Sequence, residues 1–300
     1  WYALRFLLGE GGMGAVFEAY DEKLDRVVAL KVVKPEHFRN ATVRRRFIQE
    51  ANAIAAIRHP NVVELHDSGD LGDGSMFLVM ERLHGRGLAD LHRLSGAGTP
   101  VQVASLLRQG AAALGAAHRA GIVHRDVKPE NVFLCPEDGG FRVRILDFGL
   151  AKRVDGDRNL TQSGLMVGTP AWMPPEQISG REVDERADVY SFAAVCYLAL
   201  TGRGVTEERD LDKVFVDVVR NPPPPVSALL PAAPAAVDAA FRAALAKKPE
   251  ARPRDVVAWA AALAAALEGL PSSGAGWVFP AGGGPPGSPP APTLVTRPPA

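Results

Sequence analysis

The chain has 300 residues, 47% of them hydrophobic, and its 34 basic side chains balance 34 acidic ones. That is enough apolar material for two packed units, and zero formal charge excludes a bulk field for gripping nucleic acid or an anionic membrane surface. The two cysteines, Cys135 and Cys196, sit in apolar runs without metal-ligand spacing, so they read as reduced, buried thiols of a cytosolic compartment.

In chain order, Leu4–Gly9, Ala15–Tyr20 and Val27–Val33 read as strands, the last two joined by a polar turn around Asp21–Asp25. A helix is expected from Ala41 to Arg58, stopped by His59-Pro60-Asn61 because the residue before a proline resists helical geometry. Val62–Asp67 and Met76–Met80 read as two more strands. After Leu83 the pattern turns helical. Val101–Ala120 ends at Gly121, Val132–Cys135 and Phe141–Leu146 make a hairpin, and Ala187–Leu200, Val237–Ala246 and Val256–Leu267 are apolar helices. From Pro271 proline and glycine dominate, and the tail is expected to be disordered. There is no signal-peptide pattern. The longest apolar stretches run to about 12–15 residues, short of the ~20 a spanning helix needs.

Three segments carry chemistry. The first is Leu8-Gly9-Glu10-Gly11-Gly12-Met13-Gly14-Ala15-Val16, a GxGxxG in which glycines let backbone N–H groups approach phosphate oxygens. A dinucleotide fold would place a helix directly after it, but Ala15–Tyr20 reads as a strand, so a glycine-rich hairpin is expected. The second is Lys31, which alternation puts on one strand face with Ala29 and Val33. A lysine there needs an anion or a route to water. The helix that follows places Glu50 within the stripe Val43, Phe47, Ile54 and Ile57, and a Lys31–Glu50 ion pair satisfies both charges.

The third segment is Gly121-Ile122-Val123-His124-Arg125-Asp126-Val127-Lys128-Pro129-Glu130-Asn131, polar groups pinned between apolar runs, followed by Arg144-Ile145-Leu146-Asp147-Phe148-Gly149. Through these residues the chain resembles the bacterial eukaryotic-like (Hanks-type) serine/threonine protein kinases over about Leu4 to Leu267. The resemblance implies an α+β, bilobal protein-kinase-like fold, with a small β-rich N-lobe over 1–82, a larger helical C-lobe over 83–270, and a tail or linker over 271–300. It further implies transfer of the γ-phosphate of ATP to Ser/Thr hydroxyls, with Mg²⁺ as cofactor.

By that resemblance Asp126 accepts the substrate hydroxyl proton, Lys128 steadies the transferring phosphate, and Asn131 and Asp147 bind Mg²⁺. Gly9, Gly11 and Gly14 cover the phosphates, with Leu8 at the start of the loop, and Lys31 pairs with Glu50. Val16, Ala29 and Phe133 enclose the adenine, Met80 lies behind it, and Glu81 and Leu83 offer hinge backbone. Gly168-Thr169-Pro170-Ala171-Trp172-Met173-Pro174-Pro175-Glu176 resembles the substrate-binding end of the family's activation segment, departing from it at Pro174. Glu176 is expected to pair with Arg252, and Asp188 to brace the catalytic loop. Arg125 beside Asp126 implies activation by autophosphorylation, at Thr161 or Ser163, for which a homodimer could serve as the trans arrangement.

Three readings compete. An active protein kinase keeps Lys31, Asp126 and Asp147, as this chain does; a pseudokinase scaffold would have lost one of them; a small-molecule kinase would lack the Gly168–Glu176 platform. ATP and Ser/Thr-bearing proteins are the expected partners, without nucleic acid. The expected location is the cytoplasm, either free or as the cytoplasmic domain of a longer, membrane-anchored protein.

Overall fold

The computed structural model describes residues 2–38, 41–148, 170–272 and 274–279, and the backbone of 293–295. The expected phosphorylation sites Thr161 and Ser163, with Thr169, lie outside the described residues.

The first part of the chain is an antiparallel sheet. β1 (Tyr2–Gly11), β2 (Gly14–Asp21), β3 (Arg26–Val33), β4 (Leu65–Asp70) and β5 (Met76–Glu81) line up in the order β4-β5-β3-β2-β1. β1 and β2 join directly through the glycine loop, with Gly11 opposite Gly14, so a strand and not a helix follows the glycines. Gly14 is required there: a Cβ would sit 1.9 Å from the Val32 carbonyl oxygen. β3 is buried on both faces. Val28 and Leu30 pack with Ala19 and Val79, whereas Ala29 and Val33 join the principal core.

Between β3 and β4 runs α1 (Ala41–Ala55), ending three residues before the expected stop. Its buried residues are Phe47, Ala51 and Ile54. Val62 and Val63, expected to open a strand of the small sheet, pair instead with the distal hairpin: Val63 N–H donates to Ile145 O at 3.1 Å and Ile145 N–H to Asn61 O at 2.8 Å. The free carbonyls and amides around the His59-Pro60 stop are thus satisfied by the other lobe.

After the short β6 (Arg86–Gly87), helices take over: α2 (Leu88–Ser95), α3 (Pro100–Arg119), α4 (Pro175–Ile178), α5 (Glu185–Thr201), α6 (Leu211–Arg220), α7 (Ala235–Ala244) and α8 (Val256–Glu268). The hairpin β7 (Val132–Glu137) and β8 (Gly140–Ile145) interrupts them and pairs with β6. α3 starts on a capping box: Thr99 Oγ1 accepts the Gln102 N–H while Gln102 Oε1 accepts the Thr99 N–H. It stops where Gly121 adopts φ +73°. α5 is buried on every side from Ala187 to Leu200, as a central helix must be, and crosses α3 so closely that a Cβ on Gly110 would lie 2.4 Å from Phe192. α2 and α6 were not anticipated from the sequence.

Beyond α8, within the stretch expected to be disordered, Gly274–Phe279 lies against the helical lobe with Trp277 only 3% exposed. The backbone of β9 (Thr293–Val295) pairs antiparallel with β1. A few large aromatics suffice to anchor a segment that composition alone marks as unstructured. Among the described residues no helix is long and apolar enough to cross a membrane.

Candidate active site

The sheet and the helical lobe enclose a cleft of about 980 Å³. Its roof is Leu8, Gly9, Gly11, Gly14, Val16 and Ala29; Met80, Glu81 and Leu83 form its back edge, Phe133 its floor, and Lys31, Asp126, Lys128, Asn131 and Asp147 its polar end. Of the residues expected to bind nucleotide or metal or to act in catalysis, Glu50 alone is not part of this lining. Gly9, Gly11 and Gly12 have nothing within 4 Å of where a Cβ would stand, so these positions face open space instead of serving internal packing.

Strand register explains the roof. Val16 lies opposite Lys31 and Ala29 opposite Met80. Neighbouring strands therefore deliver apolar surface and one ammonium to the same face.

The polar end is assembled by hydrogen bonds that cross between chain segments. Asp188, fully buried on α5, accepts the backbone N–H of His124 at 2.8 Å and of Arg125 at 2.9 Å, and bonds His118 Nε2 at 2.8 Å. His124 is also fully buried; its Nε2 faces Leu146 O at 2.9 Å and its Nδ1 faces the Asp126 N–H at 3.2 Å. An acceptor at one ring nitrogen and a donor at the other select the neutral tautomer with the proton on Nε2. The His124 ring lies 4.5 Å from the Phe148 ring, tying the loop to the segment that carries Asp147. The tight turn Pro129–Asn131 then brings Asn131 O to the Leu146 N–H at 2.9 Å.

Asn131 Nδ2 donates to Asp126 O at 2.8 Å and Asp126 Oδ2 at 3.1 Å. Both are acceptors, so the amide nitrogen must face them and Oδ1 is the atom turned elsewhere. Lys128 Nζ stands 3.2 Å from Asp126 Oδ2. Arg125 and Asp147 hold φ at +64° and +48° without being glycine. Non-glycine residues in this region are held there by their surroundings, and both flank the convergence of charges.

The Lys31 ammonium meets Asp147 Oδ2 at 2.7 Å. The expected stripe of α1 faces the core: Phe47 and Ile54 are buried, Val43 and Ile57 pack against the same core, and Glu50 Oε2 is shielded from solvent. The sequence reading missed Phe279, which lines the cleft from far down the chain, and the carboxylate role of Glu81. Glu81 pairs with Arg144 at 3.2 Å and accepts the Glu64 N–H at 2.9 Å. The Glu176–Arg252 pair is present and bidentate, at 2.6 and 2.7 Å.

A family model described as the protein kinase domain matches residues 2–237. The serine/threonine-protein kinase PknD of Mycobacterium tuberculosis is 39% identical over 252 residues, covering 84% of this chain and 37% of PknD. Pkn1 of Myxococcus xanthus is 41% identical over 264 residues, 87% of this chain and 37% of its own length. The chain thus spans little more than a third of the curated relatives it matches. The crystal structure of the PknI kinase domain of Mycobacterium tuberculosis superposes with a TM-score of 0.71 at 28% identity, over 89% of this chain and 96% of that domain. Sequence, fold and the cleft between two lobes agree: the chain belongs to the bacterial, eukaryotic-like (Hanks-type) branch of the serine/threonine protein kinase family.

Proposed function

We propose that this chain is an active kinase domain that transfers the γ-phosphate of ATP to serine or threonine hydroxyls of proteins. The observation that carries the reading is the meeting of Lys31, Asp126, Lys128, Asn131 and Asp147 at one end of a single cleft roofed by the glycine loop. Phosphoryl transfer is mainly a matter of positioning and charge neutralisation, which such a set supplies.

The donor set fits magnesium in the form it takes with nucleotides, where one or two protein oxygens are completed by phosphate oxygens and water. Asp147 offers a carboxylate with a 35% exposed side chain, and Asn131 offers the amide oxygen not engaged with Asp126. Bound there, the cation would neutralise charge developing on the phosphate oxygens. Lys31, now paired with Asp147, would turn to the phosphates once the carboxylate has a metal partner. Asp126, oriented by Asn131 and Lys128, would accept the hydroxyl proton. Lys128 would neutralise the moving phosphoryl group. Val16, Ala29, Met80 and Phe133 would enclose the base, with Glu81 and Leu83 presenting backbone groups to its edge.

Incubation with labelled ATP and Mg²⁺, beside an Asp126→Asn variant, tests this. Label is expected on Ser or Thr, with transfer reduced about 10²- to 10⁴-fold in the variant, the usual range for removing a positioned base. No transfer by the wild-type chain, or equal transfer by both, would sink the reading. We further propose that the domain regulates itself by autophosphorylation, and mass spectrometry of the same incubation should find phosphate on Thr161 or Ser163. A stretch from Asp147 to Glu176 without phosphate would remove that part.

A further inference from the structure

Two adjacent charges at the end of β5 are tied to different lobes. Arg82 Nε donates to Glu18 Oε2 on β2 at 2.9 Å, with both side chains largely buried. Glu81 is tied to the helical lobe: its Oε2 lies 3.2 Å from Arg144 Nη2 on β8, while its Oε1 accepts the Glu64 N–H at 2.9 Å. Arg144 Nη1 donates to Val62 O at 3.1 Å, so one guanidinium holds the hinge and the segment before β4 together. In the β7–β8 ladder Arg144 stands opposite Phe133, the floor of the cleft. Beyond Arg144 the strand leads straight to Asp147. On the way the Ile145 N–H bonds Asn61 O at 2.8 Å and the Leu146 N–H bonds Asn131 O at 2.9 Å. Asn131 and Asp147 are thus both attached to the strand that Arg144 ties to the hinge. Backbone satisfaction does not require the ion pair, because the Glu81 N–H already bonds Glu64 O at 3.0 Å. A pair whose side chains are only 20% and 21% exposed carries a desolvation cost that an apolar contact would not, but it fixes a distance and a direction.

We propose that the Glu81–Arg144 pair is a spacer that sets the distance between the base-binding hinge and the cation-binding Asp147, holding the base and the phosphates of one nucleotide in register. The Arg82–Glu18 pair completes it by fixing the same hinge to the roof of the cleft. Arg144 is not part of the cleft lining, so it is a positioning residue that acts through Glu81 and Asp147. Which ligand the spacer serves rests on the kinase reading, but the mechanical link from hinge to Asp147 does not. A ligand gripped at two points gains affinity only as far as those points are pre-set at its own length. Loosening the spacer should therefore penalise a ligand that spans both points and spare one that touches the hinge alone.

The test uses the full chain with Arg144→Met, Arg144→Lys, Glu81→Gln and the Arg144→Met/Glu81→Gln double variant. Calorimetry reads the affinity for MgATP, which spans both points, and for adenosine, which reaches only the hinge. Hydrogen exchange is followed at the Glu81, Ile145 and Leu146 amides. Arg144→Met and Glu81→Gln are each expected to weaken MgATP binding about three- to tenfold, the coupling expected of one partly buried pair, while adenosine affinity stays within about twofold of wild type. The double variant should lose no more than either single one, because both remove the same interaction. Arg144→Lys keeps the charge and should restore most of the MgATP affinity. Unchanged MgATP affinity in Arg144→Met, even with a lowered denaturant midpoint, would make the pair purely structural and overturn the spacer. An equal loss for adenosine and MgATP would overturn it too, since the hinge itself would then be deformed. Should Arg144→Met fail to fold, Glu81→Gln decides on the same contrast. If the wild-type chain binds neither ligand, the kinase reading falls and exchange decides the link. Faster exchange in Arg144→Met at Glu81 together with Ile145 and Leu146 supports it; no change, or a change at Glu81 alone, refutes it.

Discussion

The molecule uses one set of charged residue types in two contrasting ways. In the helical lobe Glu176 and Arg252 are each 4% exposed and joined by two short bonds, and the guanidinium also donates to the carbonyls of Ala246, Arg186 and Lys247. Asp188 is as deeply buried and saturated by His118, His124 and Arg125. In the cleft Lys31 and Asp147 share a single contact, and the Asp147 side chain is 35% exposed on a strained backbone. Saturated buried charges brace the fold, because losing one partner strands the other away from water. Sparsely bonded charges at a cavity remain open to exchange partners with a ligand. Burial and bond count, not residue type, separate support from chemistry.

The largest effect expected from breaking this contrast is on the support side. Arg252→Ala strands Glu176 and should lower unfolding stability by about 3–5 kcal/mol, as breaking buried pairs does, read from the denaturant midpoint. A midpoint within error of wild type would show that the pair is not structural. Next comes Asp147→Asn, which removes a charge but keeps the shape. It should reduce Mg²⁺-dependent transfer on the order of 10²–10³-fold while shifting the midpoint little. Normal transfer would refute the metal role, and loss of folding would move Asp147 to the supporting class.

The smallest effect sharpens the intermediate case. Lys247 donates to the last-turn carbonyls of α6, Val218 O at 2.8 Å and Asp217 O at 3.2 Å. Burial, and after it the neighbouring Arg252, push its pKa from 10.5 down to about 8. The folded group is the weaker base, so between about pH 8 and 10.5 the unfolded chain holds more protons and stability should rise with pH across that window. Below pH 8 both states are protonated and the contribution is flat. Measured against Lys247→Met, wild type should gain relative stability from pH 8 to pH 10. A difference independent of pH would mean that the ammonium is as well solvated folded as unfolded.

Much of this was legible along the chain because it depends on near neighbours. The alternation in β3, the apolar run of α5, the turn at Gly121 and the polar loop His124–Asn131 follow from backbone periodicity and turn chemistry. What could not be read were short helices and contacts with distant partners. α2 spans only two turns, and α6 carries just two buried side chains, Val214 and Val218, on its one apolar face, although Asp210 accepting the Lys213 N–H marks its start. The tail was misjudged where a few aromatics outweigh many prolines and glycines.

The sequence by itself determined which residue types were available and in what order: a glycine hairpin, a lysine on an apolar strand, a loop rich in charges held between apolar flanks. Those are local properties, fixed by backbone sterics and by side-chain alternation. Only the tertiary structure decided that the Lys31 ammonium meets Asp147, that Val62 and Val63 belong to the distal hairpin, and that Trp277 packs into the helical lobe while Phe279 reaches the cleft. Such pairings join positions far apart in the chain and are chosen by competition for burial and hydrogen bonds in three dimensions, which no window of sequence contains.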